Sequence, residues 1–257
     1  MDPSREAGTL SVIAAAVARA IVPVVCPGCG RPDVRWCGDC AAPWWEPPYR
    51  SESGAARLDV LGRAPLPAWS IAPLVGPPHL MVAAWKDGGR RDLDPFFRDA
   101  MTRAVASLAT ALEPITVVIP VPARAASTRR RGVDLPGVLA DAAASALART
   151  STPVAAVPCL RTSGREARGL GARARWSGSG AGSGIRLDPG IGLGGGPGFE
   201  ERTVPAGRTA LLVDDVVTTG ASLARACVAL ERAGVAVVAA ITLAATPPPG
   251  ANRDLGP

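Results

Sequence analysis

The residues best suited to chemistry fall in one run, Leu211-Leu212-Val213-Asp214-Asp215-Val216-Val217-Thr218-Thr219-Gly220-Ala221-Ser222. Its order reads as a buried strand, two adjacent carboxylates at its end, a hydroxyl-rich loop and then a helix. A strand end that opens onto a helix N-terminus presents unpaired backbone N–H groups and the positive end of a dipole, which suits a phosphate. Thr218, Thr219 and Ser222 add hydroxyl donors, and Gly220 lets the backbone curl closely around an anion. Two carboxylates would repel a bare phosphoryl group. Asp214 and Asp215 make sense if they accept hydrogen bonds from the hydroxyls of a sugar whose 5′-phosphate the loop holds, with a divalent cation offsetting the charge. The competing account is an ordinary strand–turn–helix with a solvated acidic pair.

The run resembles the PRPP (phosphoribosyl pyrophosphate) motif of type I phosphoribosyltransferases, in which hydrophobic residues precede two acidic residues and a Thr-Thr-Gly loop. A second anion site is expected where Ile119-Pro120-Val121-Pro122 ends a strand ahead of Arg129-Arg130-Arg131-Gly132-Val133-Asp134. The prolines stop the strand, and the arginines supply forked donors for oxygen anions. A run of charge on a solvated face is the plainer alternative.

Near the N-terminus, Cys26-Pro27-Gly28-Cys29 and Cys37-Gly38-Asp39-Cys40 form two Cys-x-x-Cys knuckles seven residues apart. Such a pair puts four thiolates within reach of one tetrahedral metal, with Gly28 and Gly38 permitting the tight turns. Zinc is the expected ion, iron the alternative for four sulfurs. A closed site of this kind is structural, and it folds a segment too short for its own core. A pair of redox dithiols is the other reading. Cys159 and Cys227 stand apart and are expected to be buried small hydrophobes.

The set of features resembles the ComF family, a competence-associated group of phosphoribosyltransferase-like proteins. The resemblance rests on the four-cysteine ribbon, Trp85-Lys86-Asp87-Gly88, Ile119-Pro120-Val121-Pro122 with Arg131-Gly132 and Leu139-Ala140, Gly169-Leu170 with Arg175, and the PRPP motif. Asp134 followed by Leu135 departs from the aromatic-Asn/Asp-Gln pattern common there, and polar residues often found before Gly-Leu are missing. The resemblance implies transfer of a phosphoribosyl group from PRPP to an acceptor, with pyrophosphate released. It assigns Val213 to PRPP binding, Asp214 and Asp215 to the ribose hydroxyls, and Thr218, Thr219, Gly220, Ala221 and Ser222 to the 5′-phosphate. Asp214 and Asp215 are the catalytic pair, and Arg129, Arg131 and Lys86 face the pyrophosphate. Mg²⁺ is implied with PRPP and structural Zn²⁺ at Cys26, Cys29, Cys37 and Cys40. Single-stranded DNA or a protein of the competence machinery is the further implied partner. The alternatives to an enzyme are a non-catalytic PRPP-binding regulator and a single-stranded DNA-handling protein.

These residues need a scaffold, and alternating strands and helices supply one. Phe97, Met101, Val105, Leu108 and Leu112 define a helix face behind Asp94-Pro95, read as N-cap and first helical position. Ile115 to Ile119 and Val154 to Val157 read as buried strands, and Asp134 to Arg149 as a helix. Thr209–Val213, a helix over Ala221–Arg232 stopped at Gly234, and Val235–Leu243 form a βαβ unit. The expected fold is therefore α/β, a type I phosphoribosyltransferase-like parallel sheet with helices on both faces, preceded by a small four-cysteine zinc ribbon. The domain reading is an N-terminal helix over 1–25, the ribbon over 26–48, a Pro-rich connector over 49–80, the main domain over 81–246 and a disordered tail over 247–257. Between Ser177 and Glu200 ten residues are glycine, so 177–208 is expected to be a flexible loop. It would either close over the reacting centre or serve as a plain linker.

Composition excludes other chemistries. Lys86 is the only lysine and is followed by Asp87, so no Walker loop exists. His79 is the only histidine, which excludes two-histidine zinc fingers and HExxH proteases; its Pro-rich surroundings read as a surface loop. The formal charge of +6 is almost all arginine, which a coding bias explains as simply as a nucleic-acid surface would. Trp36, Trp44, Trp45 and Trp69 either stack on bases or cover the seam between ribbon and main domain, the seam being the preferred reading. Leu10 to Val25 is apolar but broken by Arg19 and lacks a cleavage site, so neither a signal nor a membrane span is expected, and a cytoplasmic location is.

Overall fold

The computed structural model describes residues 24–58, 66–112, 115–149, 154–162, 184–188, 207–248 and 250. All but the last two residues of the expected helix over 1–25, most of the glycine-rich 177–208 segment, the Gly169-Leu170 and Arg175 positions and most of the tail lie outside these residues; Val25 is not helical but bridges Pro32.

After the cysteine knuckles, which carry the one-turn helix α1 (Gly38–Ala41), the chain forms β1 (Tyr49–Arg50) and β2 (Ala68–Pro73). Helices α2 (Gly76–Lys86) and α3 (Asp94–Ser107) lead into β3 (Val117–Pro120), α4 (Ala125–Arg131), α5 (Leu135–Leu147) and β4 (Ala155–Ala156). A small antiparallel pair, β5 (Leu160–Thr162) with β6 (Ile185–Leu187), precedes β7 (Thr209–Val217), α6 (Ala221–Glu231) and β8 (Ala236–Ala245).

The main sheet has six strands in the order β1-β2-β8-β7-β3-β4. All of its pairings are parallel except β1 with β2. Along β7 the side chains alternate between two apolar clusters. Leu211 and Val213 pack with Met101, Leu135 and Leu139, whereas Ala210 and Leu212 pack with Leu223 and Leu230. Helices therefore cover both faces, as a parallel sheet of β-branched and aliphatic strands requires.

The segment read as a Pro-rich connector supplies β1 and β2, and β2 lies beside β8 inside the sheet. Buried hydroxyls join these strands: Ser70 Oγ donates to Ser51 Oγ at 2.9 Å and lies 2.7 Å from Thr242 Oγ1. Each hydroxyl thus finds a polar partner away from water, which avoids the cost of an unpaired buried group. Helix α2 corrects the loop reading around His79. Gly76-Pro77-Pro78 opens the helix, because the first turn has no use for the N–H groups that proline lacks, and His79 is exposed in that turn. Asp94 is one position further in than expected, with Leu93 at the N-cap, and its carboxylate accepts from Trp85 Nε1 at 2.5 Å.

Trp36, Trp44 and Trp45 occupy the seam, whereas Trp69 lies on β2 with the Arg50 guanidinium over its ring at 5.4 Å. Trp36, Trp44 and Trp45 each stack on Phe96 at centroid distances of 5.0, 6.0 and 5.2 Å. Trp44 and Trp85 flank Phe97 at 4.9 and 4.7 Å. Tilted and edge-on pairs of this kind add to the area they bury. They anchor the cysteine module on α3. Cys159 and Cys227 are buried, as expected.

Candidate functional site

Strand β7 lies between β3 and β8, and its neighbours are reached by connections that diverge. From β3 the chain moves through α4 and α5 to β4 on one side; from β7 it moves through α6 to β8 on the other. That divergence makes the carboxyl ends of β3 and β7 the switch point at which the crevice of an open α/β sheet takes ligands. The two anion-directed segments of the sequence meet there, and Val121 N donates to Val213 O at 2.8 Å to tie their strands together.

The strand continues past the acidic pair to Val217, with Asp214 opposite Thr242 and Val217 opposite Ala245 on β8. Asp214 and Asp215 are thus fixed in extended backbone and not in the loop. Asp215 is 8% exposed, and its Oδ2 lies 2.7 Å from Lys86 Nζ at the end of α2. Burial first, and then the charge of Asp215, push the Asp214 carboxyl well above the usual carboxylate range, while Lys86 pulls the other way. Asp134 supplies a third carboxyl at the start of α5. Its pKa is raised by burial and by the charge of Asp215, against the backbone N–H of Gly137. Its Oδ1 is buried and has no hydrogen-bond partner among the described residues.

After Val217 the chain turns through Thr218 and Thr219, both exposed, into α6. Gly220 holds the N-cap in the left-handed region at φ 76°, and no side chain caps the helix. Only glycine adopts that backbone readily. A Cβ there would also come within 2.8 Å of Leu58 Cγ and 3.1 Å of Ala55 Cβ. Arg57 N donates to Thr219 O at 2.9 Å. The turn over residues 55–58 therefore backs the loop from inside, leaving its threonines and Ser222 facing out.

On the β3 side, α4 ends in Arg129-Arg130-Arg131 and is closed by Gly132 at φ 71°. Asp87 Oδ1 accepts from Arg130 at 2.9 Å and from Arg131 at 3.0 Å. The hydrogen bond from Arg131 holds the Asp87 carboxyl below its usual range. Arg131 Nε is buried and unpartnered among the described residues, so this guanidinium has a donor to spare. Arg129 is exposed on the same turn. The corner Lys86-Asp87 consequently touches both halves of the crevice, Lys86 at β7 and Asp87 at α4. Sequence reasoning placed Lys86 and Arg131 here. It took Arg130 only as a member of the anion-directed arginine run and gave no role to the Asp87 carboxylate or the 55–58 turn, whose contacts are distant in the chain and carry no local pattern.

Away from this crevice, the sulfurs of Cys26, Cys29, Cys37 and Cys40 all lie within 4.8 Å of one another. Cys37 Sγ is 3.8 Å from Cys26 Sγ and 3.6 Å from Cys29 Sγ. Tetrahedral zinc with bonds of about 2.3 Å requires sulfur separations near ~3.8 Å, so the donor set fits a structural zinc. Against the effect of burial, the backbone N–H groups of Cys37, Gly28 and Cys29 bring the Cys26 thiol down to about 6. Amide N–H groups aimed at a thiolate sulfur suit a metal ligand as well.

No described helix is long and apolar enough to cross a membrane. Residues 177–254 match the family model of the phosphoribosyl transferase domain. No curated protein matches the chain. The matched stretch contains Asp214, Asp215 and the Thr218–Ser222 loop, and supports the type I phosphoribosyltransferase superfamily for this α/β fold.

Proposed function

We propose that the crevice between β3 and β7 binds Mg-PRPP and that the protein transfers its phosphoribosyl group to an acceptor, releasing pyrophosphate, as a ComF-like phosphoribosyltransferase of the cytoplasm. The observation that carries this reading is the sequence of contacts along one strand exit. Paired carboxylates lie in β7, and the turn that follows presents Thr218, Thr219 and Ser222 at an uncapped helix start, within the stretch that matches the family model.

In this reading the N–H groups and hydroxyls from Thr218 to Ser222, with Gly220 and Ala221, hold the 5′-phosphate. Asp214 and Asp215, following Val213, accept hydrogen bonds from the ribose hydroxyls. Arg131 and Arg130, with Arg129 on the same turn and Lys86 across the crevice, neutralise the pyrophosphate. During transfer the bond from ribose carbon 1 to the pyrophosphate oxygen breaks and a bond from carbon 1 to the acceptor forms. Carbon 1 gains positive character between the two events, and the neighbouring Asp carboxylates favour that charge. Mg²⁺ bound together with PRPP would supply further neutralisation of the leaving group. The chain's own contribution is to hold the sugar still and the leaving charge in place.

Calorimetry with Mg²⁺ and PRPP tests the reading. The wild type is expected to bind, and the double variant Asp214→Asn/Asp215→Asn to lose binding while staying folded. Equal affinity in the two proteins would rule this site out. Pyrophosphate release in a mixed pool of bases and amines then names the acceptor, and its absence across that pool favours a PRPP-binding regulator. Trp36, Trp44 and Trp45 pack against Phe96, which favours their seam role; a salt-dependent affinity for oligonucleotides unaffected by PRPP would favour the single-stranded DNA alternative.

A further inference from the structure

Helix α2 connects two distant places. Its first turn lies on the cysteine knuckles: a Cβ at Gly28 would sit 2.7 Å from Cys40 Sγ and 3.1 Å from Pro77 Cβ. The turn beyond its last residue comes back to the same module. Arg90 donates through Nη1 to the Val25 carbonyl at 2.9 Å and through Nη2 to the Arg35 carbonyl at 3.2 Å. Val25 directly precedes Cys26, and Arg35 lies just ahead of Cys37. One guanidinium therefore holds the chain at the entry to both knuckles. Asp92 fixes its orientation through contacts of 2.8 Å to both Nε and Nη2, the forked geometry that lysine cannot supply.

Between these two attachments stands Lys86, whose ammonium reaches Asp215 at 2.7 Å. The residues around it are fastened as well. Trp85 is fully buried and donates to Asp94 at 2.5 Å. Arg91 donates to the Trp85 carbonyl and lies over its ring at 5.5 Å from the centroid. A long side chain holds one ion-pair geometry only when its backbone is fixed, since otherwise rotamer freedom competes with the pair.

We infer that the cysteine module, through Arg90, is a brace that holds the end of α2 so that Lys86 stays against Asp215. Arg90 is the positioning residue of that brace. The module then serves the crevice without contributing an atom to it. The consequence for ligand binding rests on the function proposed above; the placement of Lys86 does not.

Because Lys86 is the only lysine, an amine-acylating reagent followed by peptide mass mapping reports on it separately from the α-amino group. In the wild type its side chain is 19% exposed and paired, so acylation is slow. Arg90→Ala is expected to keep the wild-type metal content and far-ultraviolet circular dichroism, while Lys86 is acylated roughly two- to fivefold faster, the protection that one partly screened pair confers. The metal is released with a thiol reagent and measured with a chromogenic chelator. Arg90→Gln, which keeps part of the donor set, should fall between, and its rate decides the matter if Arg90→Ala does not fold. The control is Arg31→Ala, which removes an exposed pair with Asp39 on the same module and should leave the rate unchanged. Wild-type acylation rates in the Arg90 variants overturn the inference, as does equal acceleration in Arg31→Ala. Failure of the wild type to bind Mg-PRPP would remove the proposed function and leave this test intact.

Discussion

Lys86 Nζ lies 2.7 Å from Asp215 Oδ2, and the two side chains are 19% and 11% exposed. This pair joins the end of α2 to the carboxyl end of β7. Removing the ammonium leaves a largely covered carboxylate beside a second one. Lys86→Gln is therefore expected to destabilise the fold by about 1–3 kcal/mol, with Lys86→Arg recovering most of the loss. Urea unfolding midpoints measure both, and a neutral Lys86→Gln would mean that water screens the pair completely.

The acidic pair also sets a pH dependence. Burial and then Asp215 raise the Asp214 carboxyl above its ordinary 3.8. A carboxyl with a raised folded-state pKa binds its proton more tightly when folded. Its contribution to stability is fully present below the ordinary value and is lost as the pH rises through the raised one. Asp214→Asn should accordingly be more stable than the wild type near pH ~7.5, with the advantage shrinking toward pH ~4. Unfolding midpoints across a pH series check this, and an offset constant with pH would contradict it. The Mg-PRPP affinity of the wild type is expected to move the other way, rising with pH as Asp214 ionises.

Asp87 occupies the guanidinium groups that the proposed pyrophosphate would need. Its carboxylate is 59% exposed and bonded to Arg130 and Arg131, so it competes with an incoming anion for their donors. Asp87→Asn is expected to bind inorganic pyrophosphate with Mg²⁺ about three- to tenfold more tightly than the wild type. Arg131→Ala should reduce that binding. Calorimetry that finds weaker binding by Asp87→Asn would make Asp87 a support for the arginines and not their competitor.

Gly220 combines a left-handed backbone with a crowded site, so alanine there meets two penalties. Gly220→Ala should cost about 2–4 kcal/mol from backbone strain and from overpacking against Leu58 and Ala55. Combined with Leu58→Ala, the loss should be less than the sum of the single losses, because the contact part disappears. Additive losses in a double-mutant cycle would show that Leu58 does not press on the turn.

Much of the site was legible because it is local. The β7–loop–α6–β8 unit announces itself through β-branched residues, adjacent carboxylates and a glycine, all within a short stretch. The knuckles are equally local. What escaped sequence reasoning depends on context. Ala68–Pro73 becomes a strand because β8 lies beside it, yet its flanking prolines read as a connector. Pro77 and Pro78 resemble a turn until the following apolar face, Met81, Val82 and Trp85, is seen buried on the core. The backing of Gly220 by Ala55 and Leu58, and the sharing of Asp87 by two arginines, join segments whose pairing no periodicity encodes.

The turn at residues 55–58 has one more consequence. The stretch that matches the family model holds the acidic pair and the Thr218–Ser222 loop, but the residues wedged behind that loop, and two of the strands that flank the unit, come from far upstream. A fragment starting at the matched stretch would carry the recognisable signature on a βαβ unit stripped of the strands on either side. Boundaries chosen by signature alone would cut through the candidate site and its sheet, so an expressible piece of this protein must begin before β1.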